Sequence, residues 1–543
     1  MPAFCLIDLI CGYKTNHMSV TAKDIIESIP FRFRTEKAQG YNASFHFDIS
    51  EENLKYTVTV SNGTCELVEG FVGTADCMVK TKASVYVDLE TGKANPQMAL
   101  MMGRIKISNI AAMMQFAKCF RKFDPSYNYK EKQQASVGTT IQYTNRPTKS
   151  GPLQGVKILD FSRLLPGPLA TMFLADMGAD VIKIEDPDNP DYVRDFEPRV
   201  NGMSLFYLSL NRNKRSMAVN YLSHEGKQLI YDLVKSADVL VEQYRPGVMK
   251  EMGFGFEELS RINPKLIYVS VTGYGQHSSK AMDAGHDLNY IAIAGALGIT
   301  GSESGDITIP GFQLADIAGG SYMTINAVTA ALYQREKTGK GEWVDVAMTD
   351  AAVPLNALQF AYHQGTKLNP GRGKFELSGG LANYNVYKCA DGKHVALGSL
   401  EPKFWNKFCA SVGKSDWSER FLQQGDALVT LKQEVKTLFL TKTRAEWIEF
   451  LKAEDICFTG INELDELEQD AYLNERGMFL NNEHAAVGHY KTINQPLKFL
   501  ANNFENNWSA PDLGVDSASI LKEIGYNENQ IAQLSLSNSV KLS

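Results

Sequence analysis

Two residue types suited to moving a proton off and onto carbon near neutral pH stand in short Gly- and Ala-rich segments of this chain. His286 lies in Ala284-Gly-His-Asp-Leu-Asn-Tyr290, and Asp316 follows in Leu314-Ala-Asp-Ile-Ala-Gly-Gly320. The small neighbours let backbone and substrate come close. A His beside an Asp also serves as a plain structural hydrogen bond, so the pair alone leaves both readings open.

The elements that must position such a pair need more than one domain. At about 150 residues per domain, 543 residues suggest two to four. With 44% apolar and 22% charged residues the composition is that of a globular protein. The net charge of −7 gives no support to nucleic-acid binding. The 8 cysteines are scattered without a CxxC pair, so neither a metal site nor a disulfide framework is expected, and free thiols in a reducing compartment are. No apolar run reaches the ~18–20 residues of a membrane helix. The start, Met1 to Cys11, lacks a basic n-region, and the end reads Val-Lys-Leu-Ser rather than Ser-Lys-Leu, so no targeting signal is clear and an intracellular protein is expected.

Residues 22–36 read as an amphipathic helix interrupted by Pro30, after a capping-like Ser19-Val-Thr-Ala-Lys-Asp24. Alternation over 43–49, 56–60, 65–69, 76–82 and 84–88 predicts a meander of half-buried strands. A helix turning into a strand follows over 95–107, then an apolar closing segment, Ile110 to Phe120, rich in Met and Phe. Such side chains suit a plain core or an adaptable lipid pocket. The polar stretch 126–152 reads as a linker. From Val156 the texture changes to apolar strands (156–160, 181–185, 238–242, 266–271) alternating with helices (167–178, 225–236). This predicts an α/β doubly wound parallel sheet. The first strand runs into Ser162-Arg-Leu-Leu-Pro-Gly-Pro168, not G-x-G-x-x-G, so no NAD or FAD is inferred. A long helix is expected over 317–337 and a strand from Gly341. A smaller α+β region occupies about 380–480, with a hairpin turn at Ala390-Asp-Gly-Lys393.

The segment Asp88-Leu-Glu-Thr-Gly-Lys-Ala-Asn-Pro-Gln-Met-Ala-Leu-Met-Met-Gly-Arg-Ile-Lys-Ile107 resembles the sterol carrier protein 2 family. The resemblance covers roughly 18–125 and implies an α+β domain that binds acyl chains, sterols or acyl-CoA. Residues 153–543 resemble the class III CoA-transferase superfamily, and within it the racemase branch that acts on 2-methylacyl-CoA. The likeness rests on Leu174-Ala-Asp-Met-Gly-Ala-Asp-Val-Ile-Lys-Ile-Glu185, Asn213-Lys-Arg-Ser216, Glu242-Gln-Tyr-Arg-Pro-Gly247, Thr272-Gly-Tyr-Gly-Gln276, Gly285-His-Asp-Leu-Asn-Tyr290, Leu314-Ala-Asp-Ile-Ala-Gly-Gly320, Arg335-Glu-Lys-Thr-Gly-Lys-Gly341 and Leu400-Glu-Pro-Lys-Phe-Trp405. It implies a large part (153–360 plus 490–543), a small part (about 380–480) and two interlocked subunits.

By that resemblance His286, Asp316 and Glu401 are catalytic, in a homodimer whose site joins the large part of one subunit to the small part of the other. Racemising a carbon next to a thioester needs a base on one face, an acid on the other and donors for the enolate oxygen. No cofactor is expected beyond the CoA of the substrate. Arg212, Arg215, Val219, Asn220, Tyr221, Leu222, Arg245, Gly285, Leu288, Asn289 and Tyr290 are implied as CoA and substrate contacts, although the basic residues among them also read as a solvated face. The sequence departs from the racemases at Asp186, where an Arg usually meets CoA, so Lys183 or Arg194 is expected to substitute, and at Ala318, where Gly is common. Asp287 matches the nucleophile of the transferase members, which lack the preceding His; in a racemase it would orient the imidazole or the substrate. The implied role is epimerisation of branched acyl-CoA for β-oxidation, in peroxisome or mitochondrion, with a carrier domain holding lipid. The rival readings are a CoA-transferase using Asp287 and a lipid-binding scaffold with an inactive enzyme half.

Overall fold

The computed structural model describes residues 20–542 except 35–37, 39, 62, 95, 121, 122, 124–148, 304, 422 and 503. The chain forms two compact units, one drawn from Met1–Gln142 and Arg199–Met203, the other from Tyr143–Pro198 and Ser204–Ser543.

In the first unit Thr21, not Ser19, caps the opening helix Ala22–Glu27, in a reciprocal box with Asp24. Pro30 begins a new turn, Ile29–Arg32. Strands Thr64–Glu69, Leu54–Ser61 and Ala43–Ser50 are an antiparallel meander, as the alternation predicts. The next strand, Cys77–Lys82, does not continue it. It lies on the far side of Ala43–Ser50 and parallel to it, with Phe45 opposite Cys77. Residues 84–88 are also not a strand but part of the helix Ala83–Glu90. Val85-Tyr-Val mimics alternation, yet burial falls on Ala83 and Tyr86, three apart, which only a helix brings to one face. Ile105–Ile107 closes the sheet edge. Phe45, Phe47, Tyr86 and Phe116 fill the core, Phe116 lying 4.2 Å from Phe45 between ring centres.

The second unit is built on a seven-stranded sheet. Its order is Trp343–Ala347, Ile267–Thr272, Val239–Glu242, Lys157–Phe161, Asp180–Glu185, Lys214–Val219 and Val540–Lys541, all parallel but the last. The inner strands are buried along their length because helices cover both faces. Strand order runs outward in both directions from Lys157–Phe161. Its carboxyl end and that of Val239–Glu242 therefore frame the crevice in which doubly wound folds place ligands. The smaller part has the antiparallel sheet Tyr384–Lys388, His394–Gly398 and Phe458–Gly460 over a core of Trp405, Trp417, Phe439 and Trp447. Gly392, at φ +82°, turns its hairpin.

Most of the segment expected as a linker lies outside the described residues, but its end is not linker. The Lys149 ammonium is buried, donates to the carbonyls of Ala179 and Asn213, and sits over the Trp508 ring. A polar sequence reads as loop, but here the two carbonyls and the indole ring hold the Lys149 ammonium inside the fold. No described helix is long and apolar enough to cross a membrane.

Candidate active site

His286 is the N-cap of the helix Asp287–Ile293, and its N–H donates to Asn289 Oδ1 at 3.0 Å. Two close approaches fix the chain just before it. The Tyr290 hydroxyl donates to the Gly285 carbonyl at 2.5 Å. A Cβ on Gly285 would lie 2.7 Å from Tyr274 Oη and from the Tyr290 ring, and one on Gly273 only 2.4 Å from that ring. No larger residue fits at either place. Tyr274 and Tyr290 meet edge to face at 5.1 Å.

Asp316 sits in the first turn of Ala315–Tyr322, a π-helix that runs into Met323–Thr338. Such wide turns recur at functional sites. Gly319 and Gly320 let it press on its neighbours: a Cβ would meet the Met348 carbonyl at 2.8 Å and Pro166 at 2.6 Å. Ser321 Oγ donates to the Pro166 carbonyl at 2.8 Å. Asp287 then joins the two segments, because its Oδ1 accepts the N–H of Ala315 (2.6 Å) and of Asp316 (3.1 Å).

These contacts set the charge balance. Burial first, and then the neighbouring Asp287 carboxylate, raise the Asp316 carboxyl from its ordinary 3.8 to about 6, with His286 opposing. Asp316 is thus poised to hold or release a proton near neutral pH, within the field of an imidazole. Burial and then Asp316 push Tyr290 up to about 12, while Arg245 pulls it down, so Arg245 lies in the same field. Arg245 is exposed and in no ion pair among the described residues.

At the strand-order reversal stand Arg163, Gln243 and Tyr244, which the sequence reading passed over as site residues, with Tyr221, which it named. Arg163, just after the first strand, stacks on the Tyr244 ring at 5.3 Å and donates to Tyr221 Oη at 3.3 Å. Tyr221 and Tyr244 hydroxyls are 3.1 Å apart. Gln243 Oε1 accepts the Gly167 N–H at 2.9 Å. Below them Glu242 is buried, and burial raises its carboxyl to about 7 against hydrogen bonds from Ser270 and the Tyr244 N–H. The position of Arg163 after the first strand was a usable signal; which strand would stand beside it was not visible.

The other expected contacts fall into two groups. Arg212 is fully buried and grips Asp176 with two hydrogen bonds, 2.6 and 3.1 Å, and Arg215 does the same to Asp180 while also reaching Glu523. Both guanidinium groups are committed to protein carboxylates. The substitutes expected for the missing Arg are committed as well: Lys183 is buried on Asp191 at 3.0 Å, and Arg194 forks onto Glu185. Asp186 caps a turn, accepting the N–H groups of Asp188 and Asn189. Val219 ends its strand, Asn220, Tyr221 and Leu222 lead through a turn, and Ser223 caps the helix His224–Val234. Leu222 and Leu288 are exposed, as is Asn289, which caps the His286 N–H. Glu401 is an exposed N-cap of the helix Pro402–Ser411, and no hydrogen bond or ion pair among the described residues joins it to His286 or Asp316.

Residues 153–517 match the CoA-transferase family III and residues 29–121 the SCP-2 sterol transfer family. The human alpha-methylacyl-CoA racemase is 32% identical over 402 residues, 72% of this chain and 99% of its own length. The mouse succinyl-CoA:glutarate CoA-transferase is 33% identical over 404 residues, 72% of this chain and 92% of its own. A CAIB/BAIF family protein from Brucella suis, 27% identical, superposes on 69% of this chain and 100% of its own with a TM-score of 0.62. The chain belongs to the CoA-transferase family III and carries an SCP-2 sterol transfer domain ahead of its enzyme unit.

Proposed function

We propose that the chain interconverts the epimers of 2-methyl-branched acyl-CoA thioesters. One observation carries this reading. Of two neighbouring carboxylates, Asp287 spends an oxygen on the N–H groups that hold Asp316, while Asp316 forms no ion pair with a Lys or Arg among the described residues and titrates near 6 beside His286. In one direction the Asp316 carboxylate takes the α-proton. The C–H electron pair becomes the enolate double bond, negative charge moves to the thioester oxygen, and protonated His286 delivers its proton to the opposite face. The pair ends as protonated Asp316 and neutral His286, the state from which the reverse reaction starts. No cofactor is needed.

With Arg212 and Arg215 turned to protein carboxylates, exposed Arg245 and half-buried Arg163 offer the cationic groups for CoA phosphates. A homodimer is supported by the helix Ala357–Thr366, which buries none of its residues and leaves Leu358 and Phe360 exposed beside Val353 and Leu355. In that dimer, Glu401 of the partner subunit completes the site. The first unit holds the lipid that the second consumes.

A second reading, acyl transfer through Asp287, has its own support: Oδ2 of Asp287 accepts no hydrogen bond among the described residues and is free to attack a thioester. Incubating a pure 2-methylacyl-CoA epimer with and without a dicarboxylate acceptor separates the two. Epimerisation reads inversion that needs no acceptor and is lost in His286→Ala. Transfer reads a new CoA thioester that forms only with the acceptor.

A further inference from the structure

On the reading that Arg163 meets CoA, we propose that Asp191, with Lys183 behind it, is a positioning residue: the buried pair holds the turn 162–165 in a strained conformation that presents Arg163 to the CoA phosphates. The strain sits at Leu164, whose φ is +61°. Side chains other than Asn and Asp rarely adopt this left-handed conformation, because Cβ crowds the backbone. Among the described residues Leu164 is the one apolar residue besides glycine at positive φ. Such a residue persists only where its surroundings over-determine it, and it recurs at ligand clamps.

Here the surroundings are charged and dry. The Leu164 N–H donates to both carboxylate oxygens of Asp191, at 3.1 and 3.3 Å. The Lys183 ammonium donates to Asp191 Oδ2 at 3.0 Å and to the Ser162 carbonyl at 2.9 Å. The Ser162 N–H in turn donates to Asp160 Oδ1 at 2.9 Å. Asp191 is 1% exposed and Lys183 0%. Residues 162 and 164 are therefore fastened to buried charges on either side of Arg163. A buried ion pair adds little net stability, and its best use is to specify one conformation.

Arg163 itself meets only neutral groups: the Tyr244 ring, the Tyr221 hydroxyl and, at 3.4 Å, the Asn189 carbonyl. It forms no ion pair among the described residues, so its fork is left for an anion. The same turn runs into Pro166, whose carbonyl accepts Ser321 Oγ from the helix that carries Asp316. Fixing the turn thus sets the CoA end in register with the reacting pair. Asp191 also caps the short helix Tyr192–Asp195 through the Val193 N–H at 3.1 Å, a structural task to be separated from positioning.

Titration calorimetry of the full chain with CoA itself makes the separation. Arg163→Ala and Asp191→Ala should each weaken binding by about ten- to a hundredfold. The double variant should be little weaker than either, because both changes remove the same contact. Leu164→Val, whose branched Cβ tolerates the left-handed conformation least, should bind CoA several-fold more weakly than Leu164→Asn, which adopts it readily. In the Asp191→Ala background, Leu164→Asn should recover several-fold, which a lost Val193 cap would not allow. If Asp191→Ala fails to fold, the two Leu164 variants alone decide. Unchanged binding in Arg163→Ala would overturn the CoA role of Arg163 and the proposal with it. A loss in Arg163→Ala but none in Asp191→Ala, additive losses in the double variant, or equal affinities of Leu164→Val and Leu164→Asn would overturn the positioning role alone.

Discussion

Asp160 and Asp316 are two carboxylates held inside the same unit with opposite results. Burial alone would raise both. At Asp160 it is outweighed: Lys214 at 2.9 Å and nearby Lys183, with Ser162 and Thr171 donating, hold the carboxyl down at about 2. At Asp316 the nearest strong influence after burial is another carboxylate, and the group rises to about 6. A neutralised buried charge is a structural fastener. One whose strongest charged neighbour is another carboxylate is poised to move protons, and its position must be enforced by other means, here the Asp287 carboxylate and the close-packed glycines.

The largest effects should separate the two roles. Asp316→Asn should reduce epimerisation by about 10²–10⁴-fold and leave the fold intact. Asp160→Asn would remove the buried carboxylate that Lys214 faces at 2.9 Å, at a cost of about 3–5 kcal/mol, read as a shifted denaturation midpoint. If Asp160→Asn unfolds no more easily than the parent chain, the contrast fails.

Asp287 sharpens the comparison at a smaller scale. Asp287→Asn keeps an oxygen for the Ala315 and Asp316 N–H groups and should retain most epimerisation. Asp287→Ala removes the acceptor and should lose roughly ten- to a hundredfold, the equivalent of about 1–3 kcal/mol for a buried donor left unpaired. A transferase would lose all activity in both.

The smallest effect concerns stability. Because folding raises the Asp316 pKa from 3.8 to about 6, its contribution is intact below pH ~4 and is lost as pH rises through about 6. Asp316→Asn should therefore stabilise the chain by about 1–2 kcal/mol at pH 8 and by nothing measurable at pH 4. Equal midpoints at both pH values would show that burial does not strain this group.

The difference between the two carboxylates also marks how far the sequence could be read. His286, Asp287 and Asp316 were legible because each sits in a compact local signature whose glycines serve local close approaches. The doubly wound sheet was legible from alternating apolar strands and helices. Partners set by strand order were not. The fates of Arg212 and Arg215 depend on Asp176 and Asp180, some 35 residues earlier and brought alongside only by the sheet. Arg163 meets Tyr244 because their strands are neighbours across the reversal of order. The helix Ala83–Glu90 was mistaken for a strand because its short apolar pattern fits either period until burial decides.

The central claim is that His286 and Asp316 share one transferable proton. The most direct test is α-deuterium incorporation from D2O into each pure epimer of a 2-methylacyl-CoA across a range of pH. Both directions draw on the singly protonated pair, so the account predicts one bell-shaped profile common to both epimers. Its acid limb should fall through about pH 6 as Asp316 takes a second proton onto the pair. Inversion without deuterium, or a rate that stays flat through pH 6, would contradict it.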